Sequence, residues 1–167
     1  MTPLTLDLPF RGRWRAEMSP ARRVPSHGTD LFGITYAMDF VGVDDRGRSA
    51  PRTWQTLLTE PAQTFVGFGR PITAPIAGRV VSIHDGEPDH VGRRSVLTLI
   101  PYLLGQAGRV RAGVDAIAGN HVIIAVSPTG PFVGLVHLRQ GSLRVGIGDA
   151  VSVGAPLAEC GNSGNST

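Results

Sequence analysis

Three side chains whose types suit metal binding or proton transfer are spread along this chain: His27, Asp39 and His137. Asp39 lies in the apolar segment 34–43, and alternation along a strand would leave both faces of that segment apolar. We therefore expect a strand that is buried on both sides. A buried carboxylate must be neutralised, hydrogen-bonded or bound to a cation, because burying it bare is very costly. The segment alone leaves open whether that cation is a metal ion or an arginine.

His27 precedes Asp39 by twelve residues and lies in a loop, where a histidine by itself is more often part of the polar surface. Asp30 follows His27 by three residues and could compete with Asp39 as a ligand. The apolar environment predicted for Asp39 favours that residue.

His137 is near the end of the apolar segment 132–138. Strand alternation predicts that it shares a face with Val133 and Leu135. By itself this pattern fits a core histidine that is hydrogen-bonded to the backbone.

The other histidines give weaker signals. His84 and His90 flank an acidic turn that contains Asp85, Glu87 and Asp89, which could resemble a metal cluster. We interpret this turn as a solvated hairpin loop. His121 opens an apolar segment, and we assign it no role.

The elements that must position these side chains are predicted to be short strands. The 22 glycines and 13 prolines separate short runs rich in Val, Ile and Leu, and no helical stripe of any length occurs. The predicted strand-like segments are 4–10, 34–43, 71–84, 95–104, 119–127, 132–138, 143–145 and 151–159, with a short helix near 53–60. The sequence therefore predicts an all-β or β-dominated fold, in which residues 1–24 form an N-terminal arm and residues 25–167 form the β domain.

Composition narrows the function classes. The hydrophobic share of 41% and the charged share of 17% predict a globular domain. The 16 arginines are scattered and no lysine is present, so we favour a solvated surface over nucleic-acid binding. A single cysteine, Cys160, excludes an internal disulfide and a multi-cysteine metal site, and we interpret it as a small buried residue. The first residues show neither a secretion signal nor a membrane span, so the localisation stays open.

Ordered segments of the chain resemble the lysostaphin-like zinc metalloendopeptidases. Residues 25–41, PSHGTDLFGITYAMDFV, resemble the family's first metal motif, in the branch where a longer loop ending in Tyr-Ala-x-Asp separates histidine and aspartate. The later segments follow in the family's order: FGRPITAPIAGRVV (68–81), GNHVII (119–124), GLVHLRQGS (134–142), 145–159 and GNSGNST (161–167). The resemblance covers residues 25–167 and rests on the order of its segments.

This resemblance implies a fold of compact antiparallel sheets, a barrel-sandwich hybrid, and a function in hydrolysing peptide bonds of bacterial cell-wall peptidoglycan. His27 and Asp39 match two Zn²⁺ ligands. His137 matches a catalytic histidine that positions or deprotonates the attacking water and steadies the oxyanion. Zinc suits such a site because imidazole and carboxylate satisfy its tetrahedral preference and leave a position for water, whose pKa falls to about 7. The family also implies an extracellular or cell-wall location.

One departure from the family matters. The family follows its Gly-Asn-Ser-Gly turn with a His-x-His pair that supplies the third zinc ligand and a further catalytic residue, whereas this sequence reaches Thr167 before either. Catalytic zinc sites normally use three protein ligands. We therefore expect the zinc site to be incomplete and the 167-residue chain to be inactive, and we expect the reading frame past Thr167 to continue with His-x-His. The alternative is a non-catalytic binding or regulatory module that keeps the fold and holds no stoichiometric zinc.

Overall fold

The computed structural model describes residues 4–30, 33–51, 60–91, 117–164 and 166. Within these ranges the regular structure is dominated by short strands, and every recorded strand pair is antiparallel. This confirms the predicted β-dominated character. The strands are β1 (Trp14–Ala16), β2 (Phe40–Gly42), β3 (Pro71–Thr73), β4 (Gly78–His84), β5 (Asn120–Ala125), β6 (Phe132–Leu138), β7 (Ala150–Val151) and β8 (Pro156–Glu159), and a 3-10 turn covers Ala62–Thr64.

A four-stranded sheet with the order β6-β5-β4-β7 carries most of the core. Its β-branched residues Val80, Val122 and Ile124 are at most 1% exposed and pack with Leu157 of β8. Such residues suit the pleated surface of a sheet, and burying each side chain contributes about 1.5–3 kcal/mol to folding. The pairs β1–β2 and β3–β8 form two smaller sheets.

The predicted N-terminal arm is tied to the rest of the chain over part of its length. The predicted strand at 4–10 is wrong, because the strand of this region is β1, which pairs with β2. The backbone of the arm also bonds to the β3 region, where Asp7 N donates to Pro75 O and Thr73 N donates to Pro9 O. The domain division at residue 24 stays a prediction.

Of the other predicted segments, some are confirmed as strands and others are divided or irregular. The strands predicted at 119–127 and 132–138 are confirmed as β5 and β6. The segments 71–84 and 151–159 are each divided into two strands by a turn, and residues 143–145 are irregular. The strand predicted at 95–104 and nearly all of the helix predicted near 53–60 lie outside the described residues. In the described ranges we find no helix with the length and apolar character needed to cross a membrane.

The strand predicted at 34–43 is wrong in its first six residues, since β2 spans Phe40–Gly42. Residues 34–37 form a turn instead, closed by the hydrogen bond from Ala37 N to Ile34 O. Tyr36 is 69% exposed, so the apolar run is not covered on both sides as expected. The apolar composition did not predict this turn, because the turn is held by hydrogen bonds from Ser26 to the Ile34 and Thr35 carbonyls.

Candidate functional site

His27 and Asp39 lie against each other. Nε2 of His27 is 3.0 Å from Oδ2 of Asp39, and the two side chains are 26% and 47% exposed. The prediction that Asp39 is a buried carboxylate is wrong, because Asp39 lies directly before β2 and its side chain is 47% exposed. Burial of a charge therefore gives no reason to place a metal site at Asp39. The contact between the His27 and Asp39 side chains is what indicates a site here.

A buried serine fixes the loop that carries His27. Ser26 is 1% exposed, and its backbone N donates to Thr35 O at 2.9 Å. The Ser26 hydroxyl donates to Ile34 O at 3.1 Å, and Oγ lies 3.0 Å from Nδ1 of His27. One buried side chain thus ties the histidine to the turn that leads to Asp39.

The Ser26 hydroxyl favours one tautomer of His27. When its single hydrogen is donated to Ile34 O, which can only accept, the hydroxyl oxygen is left to accept a hydrogen bond. The Ser26 oxygen then accepts from Nδ1–H of His27, which leaves the lone pair of a neutral ring on Nε2. Two acceptors cannot bond to each other, and yet Nε2 faces the Asp39 carboxylate. The contact therefore requires either a proton on Nε2 or a cation shared by the two atoms.

Asp39 is held by its own backbone at the end of the β1–β2 ladder. Its N donates to Met18 O and its O accepts from Glu17 N, both at 3.0 Å. Asp30, the possible competitor, instead accepts from the Thr35 hydroxyl at 3.1 Å. The structure therefore brings His27 together with Asp39 rather than with Asp30.

His137 occupies a β-bulge in the β5–β6 ladder. Asn120 pairs with Leu138 and Val122 pairs with Leu135, so His121 alone lies opposite both Val136 and His137. His137 has φ +59°, a conformation that few residues other than glycine adopt. Val133, Leu135 and His137 are the less exposed positions and alternate with exposed ones as predicted, and after the bulge Leu138 also enters the core. A strained residue at a bulge is a common feature of functional sites.

A backbone carbonyl sets the tautomer of His137. Nδ1 of His137 donates to Ser163 O at 2.9 Å, so the lone pair of the neutral ring is on Nε2. Burial lowers the pKa of His137, against the opposing effects of the Ser163 hydrogen bond and the negative charge on Asp39. The charge on His27 contributes to the lowering. The ring is therefore neutral at neutral pH and able to accept a proton. It is close enough to His27 and Asp39 for their charges to affect its pKa.

The partner carbonyl belongs to a turn that packs tightly on β5. Ser163 is fully buried, and its hydroxyl donates to Leu138 O while accepting from Asn120 N. Gly119 has φ +61°, and a Cβ on it would lie 2.6 Å from Ser163. The turn approaches so closely because both glycines at this crossing, Gly119 and Gly164, lack a side chain.

The donor atoms of His27 and Asp39 suit zinc. Two ligands about 2.0–2.1 Å from a tetrahedral Zn²⁺ lie about 3.3 Å apart, which is close to the observed 3.0 Å. The Ser26 contact to Nδ1 is the type of outer hydrogen bond that orients a metal-binding histidine. Within the part of the chain that the structure describes, no group of three His, Cys, Asp or Glu side chains is arranged to hold a metal ion. The site thus offers two protein donors.

The structure also shows a histidine pair that no spacing in the sequence predicts. His84 and His121 are directly opposite in the β4–β5 ladder, with ring centres 5.9 Å apart. The positions differ by 37 residues along the chain, and the strand register that unites them could not be read from spacing. Cys160 packs against the core, and burial raises the pKa of its thiol to about 11, as a small buried residue would show.

Comparison with family models, with curated proteins and with solved structures found no match to this chain.

Proposed function

We propose that this chain is a zinc metalloendopeptidase-like domain of the lysostaphin-like type, with a barrel-sandwich arrangement of its sheets, whose substrate is a peptide of bacterial cell-wall peptidoglycan. The observation that carries the proposal is the contact of His27 Nε2 with Asp39 Oδ2, near His137, whose pKa is lowered by burial. These are the three residues to which the resemblance assigns the zinc-binding and catalytic roles.

In this proposal two residues of the chain bind the metal ion and a third transfers protons. His27 and Asp39 would hold Zn²⁺ through Nε2 and Oδ2, with Ser26 keeping the His27 ring in the required tautomer. Zinc in such a site supplies Lewis acidity and makes hydroxide available near neutral pH. His137 would accept or donate the proton that moves during hydrolysis, since its pKa is lowered and its Nδ1 is committed to Ser163.

The first test is zinc binding by the full chain, measured by isothermal titration calorimetry at pH 7.5. We expect one weakly held Zn²⁺, because two protein ligands are fewer than the three that catalytic sites normally use. Asp39→Asn should abolish this binding. Asp30→Asn is the matched control, because Asp30 is a nearby carboxylate that bonds to Thr35 instead. Equal zinc binding in wild type and in Asp39→Asn would show that the ligand assignment is wrong.

The second test concerns hydrolysis. We propose that turnover needs a third ligand, which the described residues do not supply. Incubation of purified peptidoglycan with the 167-residue chain should therefore release no new amino groups. A longer gene product that carries a His-x-His pair after the Gly161–Gly164 turn should release them, and His137→Asn should stop that release. Hydrolysis by the longer product that persists in His137→Asn would remove His137 from the mechanism.

A non-catalytic module with the same fold is the second candidate, and the absence of a three-residue metal group within the described ranges favours it. In that case Nε2–H of His27 donates directly to Asp39 and no metal ion lies between them. The chain would then contain no stoichiometric zinc, even at high metal concentration, and the two candidates are separated by the same calorimetric titration.

A further inference from the structure

We propose that His84 and His121 form a second metal site, a two-imidazole chelate across the β4–β5 ladder that takes Cu²⁺ or Ni²⁺. It lies outside the His27–Asp39 pair and does not depend on the hydrolase proposal. Its basis is the geometry of two histidines that the sequence analysis left without a role.

The first observation is the position of the two rings. His84 and His121 are paired residues in the antiparallel ladder, and their rings lie within 20° of parallel with centres 5.9 Å apart. Two imidazoles in neighbouring positions around a tetragonal Cu²⁺ have ring centres about 4.5 Å apart, given metal–nitrogen distances of about 2.0 Å. Rotation of the His84 ring, whose side chain is 32% exposed, would close the difference.

The second observation is the state of the nitrogen atoms. Nδ1 of His121 donates to Gly119 O at 2.9 Å, which leaves the lone pair on Nε2, beside the Ser82 hydroxyl at the long distance of 3.5 Å. Nε2 of His84 is buried and has no hydrogen-bond partner among the described residues. Buried polar atoms are normally satisfied, so an unpaired Nε2 on a ring whose centre lies 5.9 Å from a second imidazole is a candidate metal donor.

The third observation is the charge nearby. Glu87 Oε1 lies 3.6 Å from Nε2 of His84, which is too long for a hydrogen bond but favours a cation at this position. The Glu87 backbone is fixed by two hydrogen bonds with the Asn120 side chain, each 2.8 Å long. Two neutral imidazoles prefer nitrogen-seeking ions, and the affinity order places Cu²⁺ first. A protonated His84 paired with Glu87 is the competing explanation.

The experiment is a Cu²⁺ titration of the full chain, followed by electron paramagnetic resonance at pH 7.5, in a His27→Gln/Asp39→Asn background that removes the first pair. We expect one bound Cu²⁺ whose spectrum shows coupling to two nitrogens. His84→Gln should weaken this binding by about tenfold or more, because the second imidazole otherwise binds at high effective concentration. His90→Gln, a change to a neighbouring histidine, should leave it unaltered.

Further variants keep the test decisive. His121 is only 4% exposed, so His121→Gln is used if its circular dichroism spectrum shows a folded protein, and His84→Gln carries the result otherwise. Glu87→Gln should preserve the two-nitrogen signal, which distinguishes a chelate from a His84–Glu87 ion pair. Unchanged Cu²⁺ affinity in His84→Gln, or an equal loss in His90→Gln, would overturn the proposal.

Discussion

The His27–Asp39 pair and the His84–His121 pair each bring two donor side chains together, but on different kinds of backbone. The first pair sits on loop residues, and a side chain, Ser26, orients its histidine. The second pair sits in the register of a ladder, and a backbone carbonyl, that of Gly119, orients its histidine. Asp39 of the first pair is 47% exposed, whereas His121 of the second is only 4% exposed. The first pair therefore has one donor that is open to solvent, and the second has one donor that is enclosed.

Among the described residues, a crossing at Gly119 connects the second pair to His137, which lies near the first pair. Gly119 accepts from His121 and also contacts Ser163, whose carbonyl accepts from His137. This crossing links the ladder pair to the proposed catalytic histidine. Substitutions there should affect both regions, and substitutions elsewhere should affect one of them.

The largest effect is expected for Gly119→Ala. A Cβ would lie 2.6 Å from Ser163 at φ +61°, so both backbone strain and a clash are introduced. We expect the free energy of unfolding to fall by about 3 kcal/mol or more, measured by urea denaturation. Gly141→Ala is the matched control, because Gly141 has φ +70° with nothing within 4 Å, and strain alone should cost about 1 kcal/mol. Equal losses in the two variants would show that the crossing is not tightly packed.

The next effect concerns Cys160, which precedes the turn that supports His137. Burial raises the pKa of its thiol from 9.0 to about 11. At pH 8 the folded chain should react with iodoacetamide about 100-fold more slowly than the urea-unfolded chain, because each pKa unit removes a factor of about ten in thiolate. Mass spectrometry after timed quenching gives both rates. Equal rates would mean that this segment does not stay packed.

A smaller effect is expected for Ser26→Ala, which sharpens the contrast between the two pairs. Loss of the Ser26 hydroxyl frees Nδ1 of His27 and should weaken zinc binding by about tenfold. Cu²⁺ binding at His84 and His121 should stay as it is. Ser19→Ala is a suitable control, since Ser19 bonds to the backbone of Ala21 and not to either pair. Weaker Cu²⁺ binding in Ser26→Ala would break the proposed independence of the two pairs.

The smallest effect is in the pH dependence of stability. Burial lowers the pKa of His137 below its ordinary value of 6.5, so the folded chain resists a proton that the unfolded chain accepts. Its contribution is therefore complete above pH 6.5 and is lost as the pH falls below that value. The urea midpoint should drop between pH 7 and pH 5, and the drop should be smaller in His137→Asn, where asparagine tolerates the positive φ. An identical drop in both proteins would assign the effect to other groups.

The sequence predicted the parts of the fold that depend on local pattern. The alternation of β6 and the apolar run of β5 are strong enough to specify strands, and both are confirmed. The strand prediction for 34–43 was wrong because the first apolar residues enter a turn. Ser26, eight positions before Ile34, holds this turn by donating a hydrogen bond to the Ile34 carbonyl. The hydrophobic pattern within one segment does not reveal a hydrogen bond that a residue of another segment donates to it.

The candidate site could likewise be predicted only in part from the sequence. The pairing of His27 with Asp39 was predicted from a resemblance, whereas the burial of Asp39, argued from the residues, was wrong. The bulge at His137 and the opposition of His84 to His121 both depend on strand register, which is set by contacts between distant segments. No spacing in the sequence encodes either feature.

The bulge has one more consequence. It adds a single residue to β6 relative to β5, and Leu135 and Leu138 stay in the core on either side of it. A chain one residue shorter at this place could keep a regular ladder and an intact core, but it would have no left-handed position from which to offer an imidazole. The length of one strand, rather than its composition, would then separate a plain scaffold sheet from a sheet that presents a reactive side chain.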